Sequence, residues 1–243
     1  MDNTTNNREV KKSNGSMWTM ALAGLILGLV LGLAGGRLTG DKKDESETAK
    51  MSSNKTANAM TVGTDTKSAD LRVLLNALER EHVDLASAAT RNGFSGNPDF
   101  KASADQLDIN SQSLAAAVGS VYGADAQAKF LEIWRSHIGF FVNYTVAAKK
   151  GDKVGMDKAV KDLGGYEDAI ADFFSGANPN LPRQAVHDLV AEHVGLLKSA
   201  VDSYGAGDYA GSYKHQNEAN TQIGKIADAQ SGAIVKQFPE KFK

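Results

Sequence analysis

Three histidines occupy equivalent places in a pattern that the chain repeats. Imidazole is suited to metal ligation, to proton transfer near neutral pH and to buried hydrogen bonding. His82 is followed, fourteen and fifteen positions on, by Gly96-Asn97; His137 by Gly151-Asp152; His193 by Gly207-Asp208. The apolar neighbours match as well. Leu78, Ile133 and Leu189 lie four positions before the histidines, Val83, Ile138 and Val194 one after, and Leu85, Phe140 and Leu196 three after. The histidines are 55 and 56 residues apart, a period that marks a repeat architecture. Apolar flanks at three- and four-residue spacing place each His on the buried face of a helix. Besides a pH switch, two readings follow. Each His fills a core position and hydrogen-bonds an adjacent helix, as buried polar groups normally do. Alternatively, His82, His137 and His193 converge as ligands for a metal ion or haem, since His is the commonest metal ligand.

Other patterns argue against catalysis. No His-x-x-x-His or His-Glu-x-x-His is present. His187 and His193, six residues apart, lie about 240° apart around a helix and cannot chelate together. Glu79-x-x-His82 is one half of the paired unit of di-iron bundles, but Trp134 and Val190 stand where Glu79 should recur. His215 has no counterpart in the other repeats and reads as a surface residue. There is no phosphate-binding Gly-x-x-x-x-Gly-Lys-Ser/Thr loop and no Gly-x-Ser-x-Gly elbow. The chain has no Cys, which excludes disulfides, thiolate nucleophiles and Cys-based metal sites. Asp105, Asp108 and Glu167-Asp168 fit solvated helix faces. Trp134, Phe140, Phe141 and Tyr144 form an aromatic stripe at helical spacing, a core feature or the wall of a pocket for a flat apolar ligand.

The elements that would position the histidines are helices. Leu71, Leu74, Leu75, Leu78, His82, Leu85 and Ala89 recur at three and four residues. The second copy reads Phe130, Ile133, Trp134, His137, Phe140, Phe141 and Tyr144; the third reads Val186, Leu189, Val190, His193, Leu196, Leu197 and Ala200. Each ends near a Gly followed by Asn97, Asp152 or Asp208, residues that cap a following helix, with Pro98 at a first helical position. Second helices carry Leu107, Leu114, Val118 and Val121, then Ala159, Leu163, Tyr166, Ile170 and Phe173, then Tyr213, Ile223, Ile226, Ala227, Ile234 and Val235. Gly123-Ala124-Asp125 and Asn178-Pro179-Asn180-Leu181-Pro182 separate the hairpins, with Pro182 opening the next helix. Few Pro, much Ala and no competing strand signal give an all-α class: a six-helix up-down bundle of three hairpins, with repeats at about 67–123, 124–180 and 181–243. Repetition alone does not separate a closed bundle from an open array.

The chain before the repeats differs in kind. Residues 1–16 form a short polar tail with Arg8, Lys11 and Lys12. Met17 to Gly36 carries no charge, and about 20 apolar residues suffice to span a bilayer. Trp18 sits at one end, where interfacial aromatics belong. The segment is expected to be an uncleaved transmembrane anchor that partners the lipid bilayer; the alternative is a signal peptide and secretion after cleavage. Basic residues on the two sides are tied, Arg8, Lys11 and Lys12 against Arg37, Lys42 and Lys43. The short N-terminus is therefore placed inside by the usual layout, with the C-terminal domain outside the cytoplasmic membrane. Gly24, Gly28, Gly32 and Gly36 form a small-xxx-small stripe that suits membrane-helix packing and a homodimer. Residues 37–66 are polar, mixed in charge and free of aromatics, a flexible linker. From Thr66 onward acidic residues slightly outnumber basic ones, and nothing resembles a nucleic-acid footprint.

Ala206-Gly207-Asp208-Tyr209, the segment Ser231-Gly232-Ala233-Ile234-Val235-Lys236-Gln237-Phe238-Pro239-Glu240-Lys241-Phe242 and the repeated His carry a resemblance. Over about residues 70–242 the chain resembles a helical repeat domain of bacterial secreted and cell-surface proteins called "copper amine oxidase N-terminal domain-containing". The resemblance implies an all-helical fold outside the cytoplasm and carries over no assigned activity, because that label belongs to a different module. A copper amine oxidase builds its cofactor from Tyr in Asn-Tyr-Asp/Glu; here Asn143-Tyr144-Thr145 lacks the acid. The sequence thus predicts a membrane-anchored helical domain with a non-catalytic binding or scaffolding role in the bacterial envelope. The rival is a metal- or haem-binding domain built on the repeated histidines.

Overall fold

The computed structural model describes residues 65–243. The polar tail, the apolar segment with Gly24, Gly28, Gly32 and Gly36, and nearly all of the linker lie outside the described residues. Those described are all-helical, with six α-helices and no strand: α1 (Lys67–Ser95), α2 (Phe100–Tyr122), α3 (Ala124–Lys150), α4 (Lys153–Ala177), α5 (Arg183–Gly205) and α6 (Tyr209–Gln237). A 3₁₀ turn, Pro239–Lys241, follows. None of these helices is long and apolar enough to cross a membrane.

Each helix packs on its chain neighbour, and α6 packs on α1 as closely as the members of one hairpin pack together, so the ring closes. The first helices of the hairpins, α1, α3 and α5, also touch one another. They make an inner triangle, and the second helices stand outside it. Closure has an apolar cause: Leu71 and Leu75 of α1 bury against Ala227 and Ile234 of α6. Across that seam Arg72 also grips Asp228 with two hydrogen bonds of 2.6 Å. The main core gathers Phe130, Trp134, Leu163, Ile170, Val190 and Ile223 with other residues of all six helices.

Turn chemistry explains the hairpins. At the end of α1 and α3, Gly96 and Gly151 adopt φ of 72° and 67°, and Gly207 after α5 adopts 80°, the left-handed region that Gly enters without a Cβ clash. The next residue's amide reaches back in all three turns: Asn97 N to Asn92 O, Asp152 N to Ala147 O, Asp208 N to Ser203 O, each at 2.9 Å. Asp152 and Asp208 then accept from Gly155 N and Gly211 N and cap α4 and α6. The first turn differs from the sequence expectation. Asn97 does not cap α2; its side chain turns back to Asn92 Oδ1 at 3.0 Å, and α2 starts three residues later. Pro98 therefore lies in the turn, and Asp99 holds the cap position without a side-chain bond. Gly123 alone joins α2 to α3. Two residues assigned to the core are exposed: Leu74 by 46% and Tyr213 by 58%. Tyr213 instead lies beneath the Arg91 guanidinium, 4.0 Å from its ring centroid. On α4 the buried phenylalanine is Phe174, with Phe173 only partly covered.

Candidate functional site

Because the repeated histidines sit midway along the three inner helices and face the axis, ring closure brings them together. His82, His137 and His193 are 1%, 3% and 6% exposed. The Nε2 atoms of His82 and His137 are 3.3 Å apart, and their ring centroids 5.3 Å. The His193 ring centroid is 6.5 Å from that of His82. Trp134 lies 4.8 Å from both His82 and His137, and Tyr166 stacks on His137 at 4.5 Å.

Each outer helix adds one polar residue beside the His of its own hairpin. Asn110, Tyr166 and Gln222 stand 28, 29 and 29 positions after their histidines. Asn110 Nδ2 donates to Leu78 O at 2.9 Å, and Gln222 Nε2 to Leu189 O at 2.6 Å. Leu78 and Leu189 are the equivalent positions four before the histidines, so the repeat extends to these bonds. Sequence reading placed Tyr166 in the core but missed Asn110 and Gln222. Their signal was the nearly constant offset from the His, hidden because three different residue types fill it.

Glu79 is a second surprise, 2% exposed one turn before His82. Burial, and then the charge of Asp228, push its carboxyl well above the usual carboxylate range. The histidines move the other way. Burial depresses His137 to about 3 and His193 to about 4, and the His193 imidazole adds to the effect at His137. Burial and the other two imidazoles push His82 well below its ordinary value. At neutral pH the triad is uncharged. Burial also raises the Tyr166 phenol, which stays protonated.

Many polar atoms here lack a partner at full hydrogen-bond geometry: Nδ1 of His82 and His137, both ring nitrogens of His193, Trp134 Nε1, Glu79 Oε2, Asn110 Oδ1 and Gln222 Oε1; Asn110 and Gln222 interact more loosely with His82 and His193, and Gln230 with Glu79. Buried polar atoms are rarely left so, and such a concentration belongs to a place that handles water, an ion or a ligand. Two cavities approach it. One, of about 90 Å³, has His82 and His137 with Phe94, Phe100 and Phe141 in its wall, toward the end that holds the Gly turns. The other, of about 330 Å³, has His193, Trp134 and Tyr166 in its wall, toward the opposite end.

The three imidazoles are adjacent, yet they are not a ready ligand set. Among the described residues no group of three or more His, Asp or Glu side chains is arranged to hold a metal ion. His187 is beside Asp168 and Asp188 at 4.0 and 3.6 Å, and His215 Nδ1 lies 3.0 Å from Glu218 Oε2; both are half-buried and outside the triad. Asp105, Asp108 and Asp168 pair on the surface with Lys101, Arg135 and Arg183. Trp134, Phe141 and Tyr144 of the aromatic stripe are buried, with Phe140 at their margin. No protein-family model, no curated protein and no solved structure matches this chain.

Proposed function

We propose that this chain is a non-enzymatic, membrane-tethered binding or scaffolding domain at the outer face of the bacterial cytoplasmic membrane, with its binding centre at the histidine-lined core. The observation that carries the binding half is the convergence of His82, His137 and His193, whose nitrogens mostly lack partners at full hydrogen-bond geometry, between two cavities. The tether half is supported by the uncharged run Met17–Gly36 and the polar linker after it. Native mass spectrometry of the full-length chain, purified from its own membrane, is the test of binding. A retained small molecule or ion, lost when His193 is replaced by Leu, is expected; a bare chain overturns it. Protease added to wall-stripped cells should degrade residues 65–243, and protection reverses the topology.

A second reading rests on one distance. Two imidazole nitrogens on a tetrahedral ion, each at about 2.0–2.1 Å, lie roughly 3.3–3.4 Å apart, and His82 and His137 stand at 3.3 Å. In this reading they hold a divalent transition metal, and His193 swings in as the third ligand. Elemental analysis should then give one metal per chain, lost in both His82→Ala and His137→Ala. A metal-free wild type, prepared without chelators, removes this reading.

A further inference from the structure

We infer that the larger cavity, of about 330 Å³, is a site for a small apolar monoanion, an aromatic or medium-chain acid, with its body against Trp134, Tyr166 and Phe174 and its charged head at Lys236. This deepens the binding reading and rests on it. Four observations converge. The volume falls within the range of small-molecule sites, which begins at about 300 Å³. The wall between the ends is apolar, with Ile170, Val186, Leu189 and Ile226 among its residues. At the inner end His193 and Trp134 are each more than nine-tenths buried, and the Trp134 indole nitrogen has no protein partner. At the outer end Lys236 is exposed and takes part in none of the ion pairs among the described residues.

The cavity's one carboxylate does not cancel that charge. Asp228 is held by Arg72 Nε and Nη2 at 2.6 Å and by Asn76 Nδ2 at 3.0 Å. The mouth is therefore positive, while the inner end, at His193 and Trp134, carries no lysine or arginine. An anion buried beside His193 would lose its hydration without a counter-charge, so the head belongs outside at Lys236 and the apolar body inside. The smaller cavity lacks both features. Its volume is about 90 Å³, and its cation Arg91 is engaged by Tyr213 and by Ser212 Oγ at 3.2 Å.

The test is calorimetric titration of the full-length chain in lipid nanodiscs at pH 7.5, with empty discs as the blank. The probes are 2-naphthoate, neutral 2-naphthol and the 2-naphthylmethylammonium cation. Saturable 2-naphthoate binding is expected, about tenfold or more tighter than either comparator. Lys236→Glu, at an exposed position with no ion pair to lose, should weaken 2-naphthoate about tenfold and leave 2-naphthol unchanged. Ala229→Phe, which fills the cavity, should abolish binding of both; if that variant misfolds by circular dichroism, the Lys236→Glu result decides. Absent 2-naphthoate binding, indifference to Lys236→Glu, or equally tight binding of a comparator overturns the proposal. A chain that retains a native ligand or metal yet ignores Lys236→Glu overturns this site alone, whereas one that holds nothing overturns the binding function too.

Discussion

At the scale of the residue, the histidine core has consequences that can be read in pH. An imidazole neutral in the folded state down to about pH 3 or 4, but titrating near 6.5 when unfolded, binds fewer protons folded than unfolded in that window. Stability therefore rises with pH across the window, is complete above about 6.5, and is lost as pH falls below it. The slope is about 1.4 kcal/mol per pH unit for each such group. Urea unfolding at pH 7.5, 6.5 and 5.5 should show the drop, and His137→Leu should reduce its slope; equal midpoints at all three pH values would contradict a buried neutral triad. Glu79 works in the opposite sense. Its raised pKa makes the folded state bind more protons than the unfolded one, so its contribution is present below the ordinary carboxylate value and is lost as pH rises. Glu79→Gln should then raise the melting temperature at pH 8 and flatten the alkaline side. The positions of the histidines were legible in the sequence because period and apolar flanks repeat. Glu79 was legible only as a broken metal motif, because Asp228 and Gln230, which act on its carboxyl, lie on α6 across the ring seam.

At the scale of the element, turns separate positions that look alike in sequence. Asn97, Asp152 and Asp208 follow equivalent glycines, yet only the aspartates cap. Replacing Asp152 or Asp208 by Ala should cost about 1 kcal/mol in chemical denaturation, while Asp99→Ala, with no cap bond to lose, should be nearly neutral. Pro98 explains the difference: its ring fixes its own φ and disfavours helical geometry at Asn97, so the chain spends extra residues before α2. Gly123, the whole connection between α2 and α3, has φ 94° and ψ 174°, a region essentially closed to other residues. Gly123→Ala should destabilise by about 1–3 kcal/mol, although no neighbour would touch the added methyl. Gly139→Ala, inside α3 and equally unobstructed, should stabilise by about 0.5–1 kcal/mol. The opposite signs come from backbone conformation alone.

At the scale of the whole molecule, the ring seam between α1 and α6 decides whether a histidine site exists. Its ion pair is exposed, Arg72 by 63%, and solvent screens such pairs. Arg72→Ala should leave the unfolding midpoint almost unmoved. Leu75→Ala, at a position 4% exposed, should cost about 2–5 kcal/mol through lost burial and the cavity left behind. Reversal of that order would mean that charge, not apolar burial, closes the ring. With three hairpins, each inner helix meets the other two; with two hairpins the triangle is incomplete and its buried polar groups face water.

The sequence by itself determined the helical class, three hairpins, their turn glycines and the inward aim of each histidine, because these follow from periodicity and backbone preference within one repeat. The uncharged run Met17–Gly36 and its glycine stripe were equally plain as composition. Only the tertiary structure decided that the array closes, that the imidazoles become neighbours, that Glu79, Asn110 and Gln222 join them, and that two cavities reach that core. Each of these depends on contacts between residues far apart in the chain, and one repeat's pattern carries no information about the angle at which the next packs.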